Sequence, residues 1–301
     1  MRIYAALLCL LLCLLIPSSV LGAGPVDTQR SCELTIYFSH GGEKFAGTEF
    51  CAYRVAKFEW SGALTLTDEF SELSVDFVKL DQADWRSLAE TLSTYVITEK
   101  IEPDQTQKTD AKGRASFSDL KPGVYLVVGD SVLTKTQYFI PMPSMIAIPF
   151  ADENNKWDYE QDVKIKYEYG DRDLVDITAV KVWSDKGWKP LRPKYITVHL
   201  YGNGEKMDEV RLNKYNNWRY TWEDLDGGVI WKVAEAPVPK DYRVTIEREG
   251  EVITIINSRP PADEDDILPQ TGLDWWPVWI LTALGMTLFV LGWLRSRKKE
   301  G

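Results

Sequence analysis

The chain has 301 residues, enough for one to three domains that each bury a core. Acidic residues outnumber basic ones by 45 to 35, and the resulting net charge of −10 argues against a nucleic-acid-binding protein. A hydrophobic fraction of 45% with a charged fraction of 27% excludes a collagen-like or wholly disordered chain.

Residues 1–23 have the three parts of a secretory signal peptide. Arg2 supplies a positive start, residues 5–16 are only Ala, Leu, Cys or Ile, and small residues stand at positions 22 and 23. The apolar run is too short to span a bilayer comfortably. We therefore expect this segment to be removed on secretion, and a buried N-terminal helix is the alternative interpretation.

Residues 30–167 form the first predicted domain. Short alternating apolar and polar runs, bounded by turn residues, predict a β-sandwich. One segment differs, because its apolar residues recur at helical spacing behind Asp84. It predicts one amphipathic helix packed on the sheet through core residues Trp85, Leu88, Ala89, Leu92, Tyr95 and Val96.

Cys32 and Cys51 are the two cysteines that would remain after signal-peptide removal. Secreted proteins commonly form disulfides. The two cysteines are symmetric about Gly41-Gly42, the expected turn between the first two strands, so they could face each other. We predict a Cys32–Cys51 disulfide, and two free buried thiols are the alternative.

Residues 176–258 form the second predicted domain, separated from the first by a polar stretch at 168–176. Its alternating runs again predict a β-sandwich. The predicted strands are 177–183, 195–201, 218–222, 230–235, 242–247 and 252–257. The predicted fold class is thus mainly β, with two tandem immunoglobulin-like sandwich domains and one helix inserted in the first.

Three polar residues of the second domain share the inward face of their strands. Alternation places Lys181 with Ile177 and Ala179, and it likewise places Glu235 and Asn257 with apolar neighbours. Burying an isolated charged side chain costs roughly several kcal/mol even after the protein relaxes around it. Packing alone therefore does not explain why three polar residues share the inward face. A buried Lys–Glu ion pair with a hydrogen-bonded Asn is one interpretation.

The C-terminal end combines four segments in order. An acidic linker (259–267) precedes Leu268-Pro269-Gln270-Thr271-Gly272, which is followed by an uncharged span (275–294) and a basic tail (295–301). A helix of about 20 apolar residues is long enough to cross a bilayer. Basic residues that flank such a helix stay on the cytoplasmic side. The pattern predicts a transmembrane helix with the main body outside the cell, and an ordinary single-pass protein is the alternative.

This C-terminal arrangement resembles the cell-wall sorting signal of Gram-positive surface proteins. The resemblance implies that a sortase cleaves after Thr271 and joins it to a peptidoglycan cross-bridge or to another pilin subunit. It also implies that the protein resides in the cell wall and contacts the membrane only through its C-terminal helix before sorting.

The second domain resembles a collagen-adhesin B-type (Cna-B) domain. The matching pieces are Lys181-Val182-Trp183, Arg192-Pro193, Asn217-Trp218, Val233-Ala234-Glu235 and Ile255-Ile256-Asn257-Ser258. The resemblance implies an intramolecular isopeptide bond between Lys181 and Asn257, assisted by Glu235. The first domain resembles a pilin N-terminal domain in segments such as Leu34-Thr35-Ile36-Tyr37 and Leu120-Lys121-Pro122-Gly123-Val124. Its first strand has no Lys, and we infer no isopeptide bond there.

Pilin shafts also need an acceptor lysine near the end of the first domain. The matching region is Trp157 to Glu168, where Lys166 fits better than Lys164 and ordinary exposed lysines are the alternative. The predicted function is a structural pilin-type surface protein, and a monomeric adhesin for a host ligand is the alternative. His40 and His199 are isolated, and no nucleophile motif, phosphate loop or metal spacing appears, so we predict no enzyme, cofactor or metal.

Overall fold

The computed structural model describes residues 24–259, except for 74, 76, 78, 79, 153, 186–188, 190 and 191. The predicted signal peptide, sorting motif, transmembrane helix and basic tail lie outside the described residues, as does the acidic linker beyond Arg259. Among the residues described, no helix is both long and apolar enough to cross a membrane. The described part is mainly β with one α-helix, as the sequence predicts.

Strands on either side of residues 172 and 173 belong to separate sheets. We call residues 24–171 the N-terminal region and residues 174–258 the C-terminal region. The polar stretch at 168–176 was expected to separate two blocks, yet only residues 172 and 173 in it lie outside strands. The two regions nevertheless pack into one compact unit that ends at Ser258.

Within its described residues, the N-terminal region contains fifteen strands and the helix α1. In chain order these are β1 (Cys32–Tyr37), β2 (Ser39–His40), β3 (Glu43–Lys44), β4 (Glu49–Phe58), β5 (Leu64–Leu66), α1 (Gln82–Thr98), β6 (Gln105–Lys108), β7 (Arg114–Leu120), β8 (Gly123–Gly129), β9 (Val132–Leu133), β10 (Gln137–Pro141), β11 (Ser144–Ile148), β12 (Phe150–Ala151), β13 (Trp157–Asp158), β14 (Glu160–Lys164) and β15 (Tyr167–Asp171). The main sheets run β14-β1-β7 and β11-β8-β4-β5, with β6 also paired to β4. A third sheet runs β15-β10-β9, and β2-β3 and β12-β13 are hairpins.

Two cores lie on opposite faces of the β4–β8 sheet. Alternation turns Phe50 and Ala52 toward the β1 sheet, whereas Tyr53 and Val55 turn toward α1. The helix begins at the N-cap Asp81, whose carboxylate accepts from the backbone of Ala83 and Asp84. Asp84 was expected to mark the start of the helix. It is instead the third helical residue, and its carboxylate accepts from the backbone N–H of Asp81 to complete the capping box. The predicted amphipathic helix is confirmed, with its core side on the sheet.

The described part of the C-terminal region is built from seven strands in two sheets. They are β16 (Leu174–Ser184), β17 (Tyr195–Gly202), β18 (Glu205–Asn213), β19 (Arg219–Asp226), β20 (Trp231–Glu235), β21 (Arg243–Glu249) and β22 (Val252–Ser258). One sheet runs β19-β16-β22-β21 and the other runs β18-β17-β20. The first and last strands, β16 and β22, therefore lie side by side and parallel in the middle of one sheet.

One strand of this region was missed from sequence. β18 follows a two-residue turn at Asn203-Gly204, where both residues have positive φ, as a tight hairpin turn with right-handed twist requires. Its first five residues are exposed, so β18 lacks the apolar alternation on which the sequence prediction depended. Backbone pairing with β17 holds this exposed first half in place, whereas Leu212 near the end of the strand is buried in the core.

Candidate functional site

The three inward polar residues of the C-terminal region stand on three different strands. Lys181 lies on β16, Glu235 on β20 and Asn257 on β22. In the parallel β16–β22 pair, Lys181 is opposite Ile255 and Trp183 is opposite Asn257, so Lys181 and Asn257 are near neighbours along one face. Glu235 belongs to the facing sheet. The sandwich thus brings together residues that are up to 76 positions apart, from 181 to 257.

Short contacts join the three side chains into one cluster. The Lys181 Nζ lies 3.7 Å from Glu235 Oε2, and Asn257 Nδ2 donates to Glu235 Oε1 at 3.1 Å. The Lys181 ammonium also donates to the carbonyl oxygens of Val182 (2.9 Å) and Ile255 (3.1 Å). Among the described residues, Glu235 Oε2 and Asn257 Oδ1 have no hydrogen-bond partner. The cluster is therefore buried but incompletely satisfied.

Burial dominates the electrostatics of this cluster. The side chains of Lys181 and Glu235 are both fully shielded from solvent. Burial lowers the pKa of Lys181 to about 8, although the Glu235 carboxylate opposes this shift. Burial likewise raises the pKa of Glu235, against the opposing effects of Lys181 and Asn257. Both shifts favour the neutral forms, a free amine and a protonated carboxyl, compared with the same groups in water.

This arrangement can support attack of an amine on an amide. A neutral Lys181 has a lone pair for nucleophilic attack, and Asn257 supplies a carboxamide on the neighbouring strand. A protonated Glu235 can donate as well as accept hydrogen bonds, so it can polarise the carboxamide and exchange protons. An unreacted ion pair between Lys181 and Glu235 uses the same contacts, and the two interpretations differ in whether a covalent bond forms.

A further group of side chains adjoins Lys181. Its ammonium lies 4.4 Å from the centre of the Trp183 ring, which packs edge-on against Trp218 and Tyr242. The buried carboxylate of Asp185 accepts from Tyr242 Oη at 2.8 Å and pairs with the Arg192 guanidinium. The hydrogen bonds from Arg192 hold the pKa of Asp185 below its usual range.

Sequence reasoning missed Asp185 as part of this site. The signal was available, because residues 181, 183 and 185 share one parity at the end of β16. Asp185 follows the last residue of β16, and the predicted strand ended at residue 183. Its burial comes from Arg192 and Tyr242, which lie in other segments of the chain.

The predicted Cys32–Cys51 disulfide is wrong in this structure, because both thiols are free. Gly41-Gly42 does form a turn, but it joins the short strands β2 and β3. Cys32, on β1, faces the core between the two main sheets, and Cys51, on β4, packs on the opposite face toward α1. The Cys51 thiol instead lies 3.5 Å from the Thr106 hydroxyl. A sheet separates the two sulfur atoms.

Lys166, the predicted acceptor lysine, is exposed between β14 and β15. Its backbone carbonyl accepts from Met142 N at 2.8 Å, which holds the main chain while the side chain stays accessible. Lys164, at the end of β14, is exposed as well. Exposure alone does not distinguish the two lysines.

Comparison with known proteins assigns a domain type to the region that holds the cluster. The family model of the Cna protein B-type domain matches residues 177–258, which include Lys181, Glu235 and Asn257. A collagen adhesin of Staphylococcus aureus is 29% identical over 92 residues, which make up 30% of this chain and 8% of the adhesin. The chain therefore spans only a small part of the adhesin's length.

Two solved structures resemble the chain more loosely. A single B repeat unit of the collagen-binding surface protein of S. aureus aligns with 77% of this chain and 99% of its own, at 15% identity and a TM-score of 0.28. The full-length major pilin SpaD of Corynebacterium diphtheriae aligns with 78% and 99%, at 11% identity and a TM-score of 0.29. TM-scores of this size do not establish a shared overall fold.

Proposed function

We propose that this protein is a structural, non-enzymatic surface protein of a Gram-positive cell, strengthened by one self-formed amide bond between Lys181 and Asn257. The observation that carries the proposal is the buried Lys181–Glu235–Asn257 cluster within a region that matches the Cna B-type domain model. Among the described residues, Glu235 Oε2 and Asn257 Oδ1 are buried without hydrogen-bond partners, which is costly in a small β-sandwich core. A role in forming a covalent bond would explain why the sequence retains these groups.

The proposed reaction forms one bond and breaks one bond. The neutral Lys181 Nζ attacks Asn257 Cγ, while Glu235 donates a proton toward the carboxamide. As the tetrahedral intermediate collapses, the Cγ–Nδ2 bond breaks and one Nζ proton passes through Glu235 to the departing nitrogen. The products are a secondary amide and one ammonia molecule, and no oxidant or cofactor is consumed. The reaction occurs once per chain, so it is a self-modification rather than turnover.

The proposed bond joins the parallel central strands β16 and β22. A chain-entropy argument for a closed loop of about 77 residues gives roughly 4–5 kcal/mol of stabilisation. Force applied along the chain enters this region through β16 and leaves it through β22. A covalent tie between these strands would carry the load past the rest of the sandwich, as a stalk protein requires.

Intact-mass measurement of purified protein tests the amide bond. We expect the mass to be one ammonia below the sequence mass once signal-peptide loss and sorting are subtracted, with a Lys181–Asn257 cross-linked peptide in the digest. Glu235→Ala should restore the missing mass, whereas Glu223→Gln, an exposed control on β19, should not. A well-folded wild-type protein with unmodified mass leaves the buried ion pair as the explanation of the cluster.

We further propose that a sortase joins Thr271 to the peptidoglycan cross-bridge or to another pilin subunit, with Lys166 as the acceptor if the protein is a shaft subunit. The ordered motif, apolar span and basic tail in the sequence support this proposal. Deletion of Leu268 to Gly272 should move the protein from the wall fraction to the membrane or the medium. Wall-linked protein that persists after the deletion would rule sorting out.

A monomeric wall-anchored adhesin for a host matrix component is the second candidate. The similarity of one segment to a collagen adhesin favours it. Immunoblots of wall extracts separate the two candidates, since a pilin gives a ladder of high-mass species and an adhesin gives one band. Lys166→Arg should collapse the ladder if this lysine is the acceptor, and Lys164→Arg is the matched control.

A further inference from the structure

Helix α1 of the N-terminal region packs against the C-terminal region through two consecutive residues. Glu90 Oε2 accepts from Lys232 Nζ at 3.0 Å, and these side chains are only 11% and 9% exposed. The next residue, Thr91, accepts from the backbone nitrogen of Ile246 at 2.9 Å. The first contact is a largely buried ion pair, and the second is a hydrogen bond from a strand N–H to a helix side chain.

Both contacts fall on strands that border the Lys181–Glu235–Asn257 cluster. Lys232 and Glu235 are three residues apart on β20, so they project from opposite faces of the strand. Lys232 reaches out to the helix and Glu235 reaches into the sandwich. All five residues of β20 are buried, which means that the helix covers the face that an isolated sandwich would expose to water.

The second contact leads to Lys181 through one strand. Ile246 on β21 pairs with Ile255 on β22, and Ile255 pairs in turn with Lys181 on β16. The Ile255 carbonyl also accepts from Lys181 Nζ at 3.1 Å. The hydrogen bond between Thr91 and Ile246 therefore lies in the same cross-strand register as Lys181.

A third contact from the N-terminal region supports β20 from its free edge. Among the described strands, β20 pairs only with β17, so its other edge has no strand partner. Arg248 on β21 donates to the Trp231 carbonyl at 2.7 Å, and its guanidinium lies 3.8 Å from Glu168 on β15. An acidic residue of the N-terminal region thus faces the arginine that ties β20 to β21.

We infer that the N-terminal region, chiefly through Glu90 and Thr91 of helix α1, is a positioning element for the Lys181–Glu235–Asn257 cluster. Neither residue touches the reacting atoms. Glu90 holds the Lys232 side chain of β20, and Thr91 holds the backbone nitrogen of Ile246 on β21. Together these contacts limit how far Glu235 can move from Asn257. The inference deepens the proposed amide formation and rests on it for its chemical consequence, but the docking contacts stand without it.

The physical reason is the sensitivity of the reaction to geometry. Attack requires the amine, the carboxamide and the proton donor to be aligned together, and small displacements of one group slow such reactions strongly. β20 is a short edge strand, and it would move more freely without the helix on its outer face. Docking of the N-terminal region would therefore accelerate amide formation in the C-terminal region.

A pulse experiment on the full chain tests the inference. The chain is synthesised in a cell-free system with a labelled pulse, quenched in acid at intervals, and digested to measure the Lys181–Asn257 cross-linked fraction. We expect Glu90→Gln to slow cross-link formation about tenfold, the change that about 1.4 kcal/mol in activation free energy produces. Asp110→Asn, which removes the exposed Arg114 ion pair in the same region, should leave the rate unchanged.

A double substitution separates docking from charge. Glu90→Met with Lys232→Met replaces the buried ion pair with an apolar contact of similar size, a change that often preserves or raises stability. We expect it to restore the rate that Glu90→Gln loses. Thr91→Val provides a second single variant if Glu90→Gln does not fold, and it should slow cross-linking and speed hydrogen exchange at the Ile246 amide.

Hydrogen exchange of β20 and β21 peptides provides the readout that does not depend on the amide. If wild-type protein lacks the cross-link, the proposed bond is wrong, and exchange alone decides the docking role. Faster exchange of both peptides in Glu90→Gln or Thr91→Val than in Asp110→Asn supports the inference. Folded variants with wild-type cross-linking rate or, without a cross-link, wild-type exchange would overturn it.

Discussion

Lys181 and Glu235 sit side by side in a core that shields both from water, and this placement sets their protonation. Burial depresses the pKa of the amine and raises the pKa of the carboxyl, while their mutual attraction works against both shifts. Solvation that would stabilise the charged forms is missing, so the neutral forms are favoured relative to the same groups in water. The same desolvation that makes the pair costly also makes the amine a nucleophile.

The rate of amide formation should depend on pH in both directions. Raising the pH toward about 8 removes the proton from Lys181 and should speed the reaction. Raising it past the elevated pKa of Glu235 ionises the carboxyl and should slow the reaction. We expect a maximum between the two pKa values, measured by quenching freshly synthesised protein over the pH range about 5 to about 10. A rate that only rises with pH would contradict a protonated Glu235 as the proton donor.

The two cysteines should behave as separate thiols. Burial raises the pKa of Cys32 to about 11, and it also raises the pKa of Cys51. Thiolates are the reactive form, so we expect Cys32 to resist alkylation in native protein and the half-buried Cys51 to react slowly. Unfolding without a reductant should release both thiols, and Cys51→Ser should leave one. If the unfolded, unreduced protein has no reactive thiol, then Cys32 and Cys51 do form a disulfide.

Among the elements, helix α1 depends on the reciprocal hydrogen bonds at its first turn. The Asp81 carboxylate accepts from Ala83 N at 2.8 Å and Asp84 N at 2.9 Å, and Asp84 accepts from the Asp81 N–H at 3.0 Å. These bonds satisfy backbone donors that a helix N-terminus otherwise leaves free. The capping box therefore fixes the start of the element that docks on the C-terminal region.

Asp81→Ala should lower the free energy of unfolding by about 1 kcal/mol, the usual effect of removing an N-cap side chain. Asp84→Ala should cost less, because it removes one of the bonds instead of two. Denaturant titrations of the two single variants and the double variant measure their coupling. If the losses of unfolding free energy in the two single variants add up to the loss in the double variant, then the two side chains act independently and not as a capping box.

For the whole molecule, the ion pair between Glu90 and Lys232 links the stability of the two regions. The side chains are nearly buried, and removal of one partner leaves the other as an uncompensated charge, at a cost of about 3–5 kcal/mol. That cost falls on the junction, because one partner lies on α1 and the other on β20. Cooperative unfolding of the two regions depends on such contacts.

Lys232→Ala should split the thermal unfolding of the protein into two calorimetric transitions. The wild-type chain should unfold in one transition, since the docked regions stabilise each other. Lys206→Ala, which breaks the exposed pair with Glu209, is the control and should shift the transition little. One unsplit transition in Lys232→Ala, with no larger shift than in the control, would show that the regions are not coupled through this pair.

Local periodicity alone was sufficient for several features of this protein. Alternation along a strand is set by backbone geometry, so the inward direction of Lys181, Glu235 and Asn257 could be read before any strand pairing was known. Helical spacing predicted α1 for the same reason. The weak alternation of β18 explains why that strand was missed.

Only the tertiary structure decided which of these local elements meet. Cys32 and Cys51 flank a turn in the sequence, yet β1 and β4 join different sheets and the thiols face different cores. The pairing of Lys232 with Glu90, 142 residues away, leaves no periodic trace in either segment. Strand partners and docking faces follow from the packing of the whole core, which depends on contacts between distant segments, whereas side-chain parity depends only on the covalent chain.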